Sequence, residues 1–136
     1  EVMSPIAEGL FAIRHKLLSK LIFQTYSGYV ASQFKKTQAD LRNHGEVKWK
    51  HAMHLLRLQL GGVQVLRTGH LEVHVGGDRD RLLAVRHGEV SFEECDKWRL
   101  RLSQQMEEAV KTTPLPDRPD YAAANQWLIQ ARRSVL

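Results

Sequence analysis

Between Val47 and Thr68 the chain contains no proline and carries Trp49, Met53, Leu55, Leu56, Leu58, Leu60, Val63, Val65 and Leu66, with Gly69 directly after. At 3.6 residues per turn these apolar side chains occupy most of the circumference of one helix, and a glycine is the natural residue to end it in a left-handed turn. A helix apolar on most sides belongs at the centre of a fold, covered by other elements. The rest of the sequence supplies those elements. Ser4-Pro5 reads as an N-cap and first helical residue, followed by Ile6, Leu10, Ile13 and Leu17 at helical spacing. Ile22, Tyr26, Tyr29, Val30, Phe34 and Leu41 recur at three- and four-residue steps and predict a long amphipathic helix ending near Asn43-His44-Gly45. Leu71, Val73 and Val75 alternate with His70, Glu72 and His74, the period of a short half-exposed strand or hairpin arm closed by Gly76-Gly77. Asp78 or Asp80 then caps a short helix holding Leu82, Leu83 and Val85, stopped by His87-Gly88. Ser91-Phe92-Glu93-Glu94 has the capping-box form and opens a further helix with Phe92, Cys95, Leu102, Met106 and Val110 on its buried face. Pro114, Pro116 and Pro119 make residues 114–119 an extended connector, after which Asp120 caps a last helix with Tyr121, Ala124, Trp127, Leu128 and Ala131. The expected fold is therefore mostly α: one helical domain over residues 1–136, a bundle of five to six helices with one short β strand or hairpin.

Composition narrows the chemistry. The 136 residues leave room for one modest core and exclude most large enzyme scaffolds. No apolar run approaches the roughly 18 residues that span a bilayer, so no membrane partner is expected. A single cysteine, Cys95, makes no internal disulfide and no zinc site, which fits a reducing, cytoplasmic setting. Lys+Arg 20 against Asp+Glu 15 gives a net charge of +5, so polyanions are the first partners to consider.

The central helix also carries the most informative polar pattern. Lys50, His54 and Arg57 fall within roughly 60° of one another around the helix axis, and Gly61 projects into the same sector. Three basic groups on a helix that reads as buried need an anionic answer, because unpaired charge inside a protein costs several kcal/mol. A phosphate-bearing ligand is one answer, with Arg offering a planar fork, Lys a point charge and neutral His one donor. An internal carboxylate, Glu8, Asp40 or Glu46, is a second, and a solvated basic face is a third. Gly61 would let a ligand approach the backbone closely, or would let a neighbouring helix pack there.

Other patterns carry less. Asp78-Arg79-Asp80 after a glycine pair has the outline of a metal-binding carboxylate pair, but the two acids fit helix capping better. His70 and His74 share one side of the expected strand without a third ligand. Cys95 falls on an apolar helix face and reads as core. Lys35 and Lys36, with Gln33 and Arg42, could follow a nucleic-acid backbone or form a solvated helix face. No Ser/His/Asp or Cys/His triad spacing and no phosphate-binding glycine loop is present.

Tyr29-x-x-Ser32-Gln33-x-Lys35, Lys50-x-Ala52-Met53-His54-Leu55-x-Arg57-Leu58 and Leu66-x-Thr68-Gly69 occur in this order. Leu83-Ala84-Val85-Arg86-His87-Gly88-Glu89 and Leu115-Pro116-x-x-Pro119-Asp120-Tyr121, with Asn125-x-x-Leu128-Ile129, follow them. Together they resemble nucleotidyltransferases of the DNA polymerase beta superfamily found beside RNA ligases in RNA-repair settings. The resemblance covers nearly the whole chain and corresponds to the C-terminal helical half of such proteins. In that family an α/β head uses a Gly-Ser turn and an Asp-x-Asp pair to place the nucleotide and two Mg²⁺ ions. Neither motif occurs here in the expected context. Glu1-Val2-Met3-Ser4-Pro5 resembles the segment joining head to helices, so the resemblance implies a catalytic domain upstream of residue 1. Mg²⁺ and a nucleoside triphosphate are then the cofactor and ligand of the parent protein, with RNA or another nucleic acid as a further partner. By the same resemblance Lys50, His54 and Arg57 contact phosphate, no catalytic or metal-binding residue lies in this chain, and it would be inactive alone. Tyr29, Ser32, Gln33 and Lys35 match a second patterned helix. With Lys36, His51 and Gly61 they make up the expected secondary contacts. The alternative is a non-catalytic module that binds nucleic acid or protein through its basic helices.

Overall fold

A computed structural model describes residues 4–136; most of the expected joining segment, residues 1–3, lies outside the described residues. Six α-helices account for most of them: α1 Pro5–Ile13, α2 Leu21–His44, α3 Trp49–Thr68, α4 Arg79–Arg86, α5 Phe92–Thr112 and α6 Tyr121–Ser134. Short 3-10 turns at Arg14–Leu17 and Gly76–Asp78 lead out of α1 and into α4.

The helix starts follow their sequence signals. Ser4 Oγ accepts the Ala7 N–H at 3.2 Å, Ser91 Oγ the Glu94 N–H at 3.2 Å, and Asp120 Oδ1 the Ala123 N–H at 3.0 Å. Each cap satisfies a backbone donor that the first helical turn leaves orphaned, a contribution of about 1 kcal/mol. At the other end of α3, Gly69 adopts φ +76° and its N–H returns to the Val65 carbonyl at 2.8 Å. A Cβ there would be strained by the backbone and would also meet the Pro114 ring at 3.2 Å.

As its pattern requires, α3 is the hub, with α2, α4 and α5 packed around it. Ala52, Met53, Leu55, Leu56, Val63, Val65 and Leu66 are buried, and they meet Val30 and Phe34 of α2, Leu82 and Val85 of α4, and Cys95, Trp98, Leu102, Met106 and Ala109 of α5. Phe34 stacks on Phe92 with ring centroids 6.0 Å apart, and the Arg81 guanidinium lies 3.8 Å over the buried Trp98 ring. Helices α1 and α6 form a separate pair on the outside, neither contributing a buried residue. The proline-rich connector is docked by the buried Leu115, by the Lys20 N–H donating to the Pro116 carbonyl at 2.8 Å, and by the Lys20–Asp117 ion pair at 3.0 Å.

Two expectations are corrected. The expected strand or hairpin at 71–75 does not form, and no strand exists among the described residues. An isolated strand has nothing to hydrogen-bond, and this chain has no second segment of the same period to pair with it. Side chains of α3 take over part of the ladder's role: Gln64 Oε1 accepts the Glu72 N–H at 3.1 Å, and Arg57 Nη2 donates to the Val73 carbonyl at 3.1 Å. Nor does Asp78 or Asp80 cap α4 through its side chain. The 3-10 turn runs straight into the helix, so Asp78 is already in helical backbone conformation and its N–H donates to the Val75 carbonyl. A side-chain cap needs the extended conformation that Ser4 and Ser91 adopt.

Candidate functional site

The basic stripe exists, but on the open side of α3. Lys50, His54 and Arg57 are all exposed, so the burial that would have demanded an anionic answer is absent. The reason lies in what covers α3: α2, α4 and α5 leave one sector of it facing outward, and the stripe lies in that sector. Nor does an internal carboxylate answer the stripe. Ion pairs of the described residues join Lys20 to Asp117, Lys97 to Glu93, Arg99 to Asp96 and, with the imidazole protonated, His87 to Glu89. Glu8, Asp40 and Glu46 take part in none of them.

Two residues of the stripe, His54 and Arg57, line a cleft of about 390 Å³ between α3, Tyr26 of α2 and the segment 71–75 with Asp78 beyond it. His54, Arg57, Gly61 and Gln64 form its helical wall. Residues 71–75 form the facing wall, held to α3 by the Arg57 and Gln64 hydrogen bonds just described. That wall carries Leu71, Val73 and Val75 with Glu72, His74 and Asp78, and with Tyr26, Leu58 and Leu60 across from them the lining is mainly apolar, interrupted by the basic Arg57 and His54 and by the acidic residues Glu72 and Asp78. Arg57 commits one donor to Val73, and a guanidinium has five. Lys50 lies one turn before His54, outside the cleft lining and about 10 Å along the axis from Arg57.

The expected secondary contacts are not brought together. Only Gly61 shares the cleft with His54 and Arg57. A Cβ at Gly61 would meet nothing within 4 Å, so helix packing does not account for this glycine. Gln33 and His51 are paired with each other across α2 and α3, His51 Nε2–H donating to Gln33 Oε1 at 3.0 Å. Ser32 and Lys35 line a different groove, between α2 and α5, with Phe92 and Arg99. Arg99 is held there by Asp96, at 2.7 Å from Nη2 and 2.8 Å from Nε. Tyr29 and Lys36 are exposed on α2.

Sequence reasoning missed Tyr26, Gln64, Glu72, His74 and Asp78 as cleft residues. Gln64 was within reach, since it continues the stripe three residues after Gly61. The facing wall was not, because it depends on how the 71–78 segment folds back. Gln59 was missed too: it is buried at the α3–α5 contact, its Nε2 donating to the Arg99 carbonyl at 3.2 Å and Ser103 Oγ at 3.0 Å.

Cys95 is core, as expected. Burial pushes its thiol from the ordinary 9.0 up to about 11, with Glu94 adding to the rise and Arg81 opposing it, which leaves no nucleophilic thiolate at neutral pH. Among the described residues no three His, Cys, Asp or Glu side chains cluster as a metal site requires, and no helix is long and apolar enough to cross a membrane.

The family model RlaP, the RNA repair pathway DNA polymerase beta family, matches residues 2–130. The chain belongs to this family. No curated protein and no solved structure gives a significant match. Membership of the RNA repair pathway DNA polymerase beta family agrees with the resemblance carried by the motifs on α2, α3, α4 and the connector into α6. All of those motifs fall within the matched residues.

Proposed function

We propose that this chain is the helical region of a nucleotidyltransferase and that its α3 cleft takes a nucleotide, either free triphosphate or the end of a nucleic acid. His54 and Arg57 would hold phosphate oxygens, with Lys50 adding positive potential further along the same stripe. The mixed lining of the cleft carries this reading. Arg57 and His54 on α3 suit an anion, and the apolar side chains of Tyr26, Leu58, Leu60, Leu71 and Val73 suit a planar base. A nucleotide has both, an anionic end and a base. A bare polyanion has only the first.

Transfer would be attack by an acceptor hydroxyl on the α-phosphate, breaking the bond to the β-phosphate so that pyrophosphate leaves; Mg²⁺ would be held by carboxylates of a catalytic head rather than by residues of this helical region, and would supply charge stabilisation there. Within this chain the contribution is charge neutralisation along the phosphates, and positioning.

The test is calorimetric titration of Mg-ATP into the full-length protein and its Arg57→Gln and Lys50→Ala variants, with thermal melts alongside. Arg57→Gln should weaken binding by about 1–3 kcal/mol, and Lys50→Ala by less, since it stands outside the lining. Unchanged affinity in Arg57→Gln, with or without lowered stability, would remove the phosphate role. An RNA oligonucleotide that competes with Mg-ATP, and whose affinity falls steeply with added salt, would mark the nucleic-acid end as the ligand.

A further inference from the structure

A second groove, of about 330 Å³, lies between α4 and α5 and shares no lining residue with the α3 cleft. Helical spacing sets its α5 side: Glu94, Lys97 and Arg101 stand three and four residues apart and share one face of the helix. Arg81 supplies charge from α4. Three cations thus meet one carboxylate in a single groove. Internal acids leave these cations largely unanswered. Among the described residues Arg81, Arg101 and Glu94 take part in no ion pair, and Lys97 holds Glu93 at 3.5 Å in a pair so exposed that it contributes little. Arg81 is instead held by an aromatic ring. Its guanidinium lies 3.8 Å over the Trp98 ring, which fixes the plane of the fork and leaves the in-plane N–H donors for the oxygens of a ligand.

We propose that this groove binds the phosphate backbone of a nucleic-acid strand, at a site separate from the nucleotide cleft. Phosphate suits the lining better than an acidic protein surface does. Of the apolar side chains here, Val85 and Trp98 are 0% and 4% exposed and Val90 is half-buried, so the groups most open to solvent are the charged ones. A protein partner draws its affinity from apolar and aromatic anchors seated in pockets, whereas phosphodiester contacts need only well-placed donors and positive charge. Lys97 and Arg101 stand about 6 Å apart along the α5 axis, and with Arg81 on the other wall the three can engage more than one phosphate of a continuous strand. Glu94 opposes such a ligand, so its removal improves binding. The ligand of this groove is independent of what the α3 cleft takes.

The test is fluorescence anisotropy of a labelled single-stranded RNA oligonucleotide with the full-length protein over a range of salt concentrations. K97Q and R101Q, both at exposed positions, should each weaken binding by about fivefold or more. Each should also flatten the slope of log affinity against log salt by about 0.7, the share of one phosphate contact on a single strand. K111Q removes the same charge from an exposed position of α5 outside the groove and should change neither quantity. E94Q should tighten binding severalfold, a gain that no folding defect imitates. Mg-ATP affinity should be the same in all four variants, which separates this groove from the cleft that Arg57→Gln reports on. Wild-type affinity and salt slope in the K97Q/R101Q double variant, an equal loss in K111Q, or no tightening in E94Q would each overturn the proposal. So would polyglutamate that binds as tightly as the RNA and depends on the same residues, since the groove would then be reading carboxylates.

Discussion

Gly61 and Gly62 stand side by side on α3 with opposite surroundings. A Cβ at Gly62 would lie 2.9 Å from Met106 Cε and 3.0 Å from Tyr26 Cδ2, so this glycine serves packing, whereas one at Gly61 would project into open space on the cleft wall. Gly61→Ala should therefore raise stability by about 1 kcal/mol through helix propensity, while a ligand lying against α3 would bind more weakly. Denaturant unfolding and Mg-ATP titration on the same variant check both halves. A more stable protein with unchanged affinity would remove Gly61 from the contacts. The positions of the stripe residues around the axis were legible in the sequence, since angular spacing fixes them. Their exposure was not, because it depends on which neighbours cover which sector of α3. Cys95 shows the reverse case, a residue whose burial was readable from its own helix. Its raised pKa has a direct consequence for stability. Below pH 9 the thiol is protonated whether folded or unfolded, so it contributes nothing pH-dependent. Above pH 9 the unfolded chain releases the proton while the folded chain holds it until about pH 11, so stability falls as pH rises through that window. Relative to Cys95→Ala, urea unfolding should show wild-type stability dropping by about 2 kcal/mol between pH 9 and pH 11.

Between elements, the contact of α3 with α5 holds the one fully buried amide of the core. Gln59 is 1% exposed, its Nε2 is satisfied, and its Oε1 is buried without a partner among the described residues. That orphan acceptor costs free energy which an apolar side chain of the same shape would not incur. Gln59→Met should accordingly change stability by less than about 1 kcal/mol, whereas Gln59→Ala, which opens a cavity between two helices, should cost about 2–4 kcal/mol. Chemical denaturation of the two variants decides this. Should Gln59→Met prove as costly as Gln59→Ala, the amide's bonds to α5 would outweigh its orphaned oxygen. Element boundaries were the most legible level of this fold, because Ser4, Ser91 and Asp120 act locally as caps and Gly45 and Gly69 as helix ends. Segment 71–75 misled because period-two alternation reports which faces a segment prefers, and a strand also needs a partner, which the pattern does not supply. The cap misassigned to Asp78 has a similar origin: the acid is in place, but the backbone entering α4 is already helical.

At the scale of the whole molecule, the fold divides into a core built on α3 and an outer pair, α1 with α6, that buries none of its own residues. The pair is closed by Trp127, whose Nε1–H donates to the Ile6 carbonyl at 2.9 Å across 121 residues of sequence, and whose ring lies against Gly9. The Asp120 N–H adds a bond to the Lys16 carbonyl at 2.8 Å. Such contacts join the two ends of the chain to each other more than to the core, and nothing in local periodicity announces them. A unit with little buried apolar area opens at lower free energy than the core. In hydrogen exchange the amides of α1 and α6 should therefore exchange well before those of α3 and α5, and at a common rate, because neither outer helix keeps its packing without the other. Trp127→Phe retains most of the ring packing and removes one hydrogen bond of about 1 kcal/mol, so it should speed exchange in α1 and α6 together by about fivefold and leave α3 unchanged. Acceleration of α6 alone would mean that α1 is anchored independently of Trp127, and equal protection of all six helices would mean that the molecule opens only as one unit.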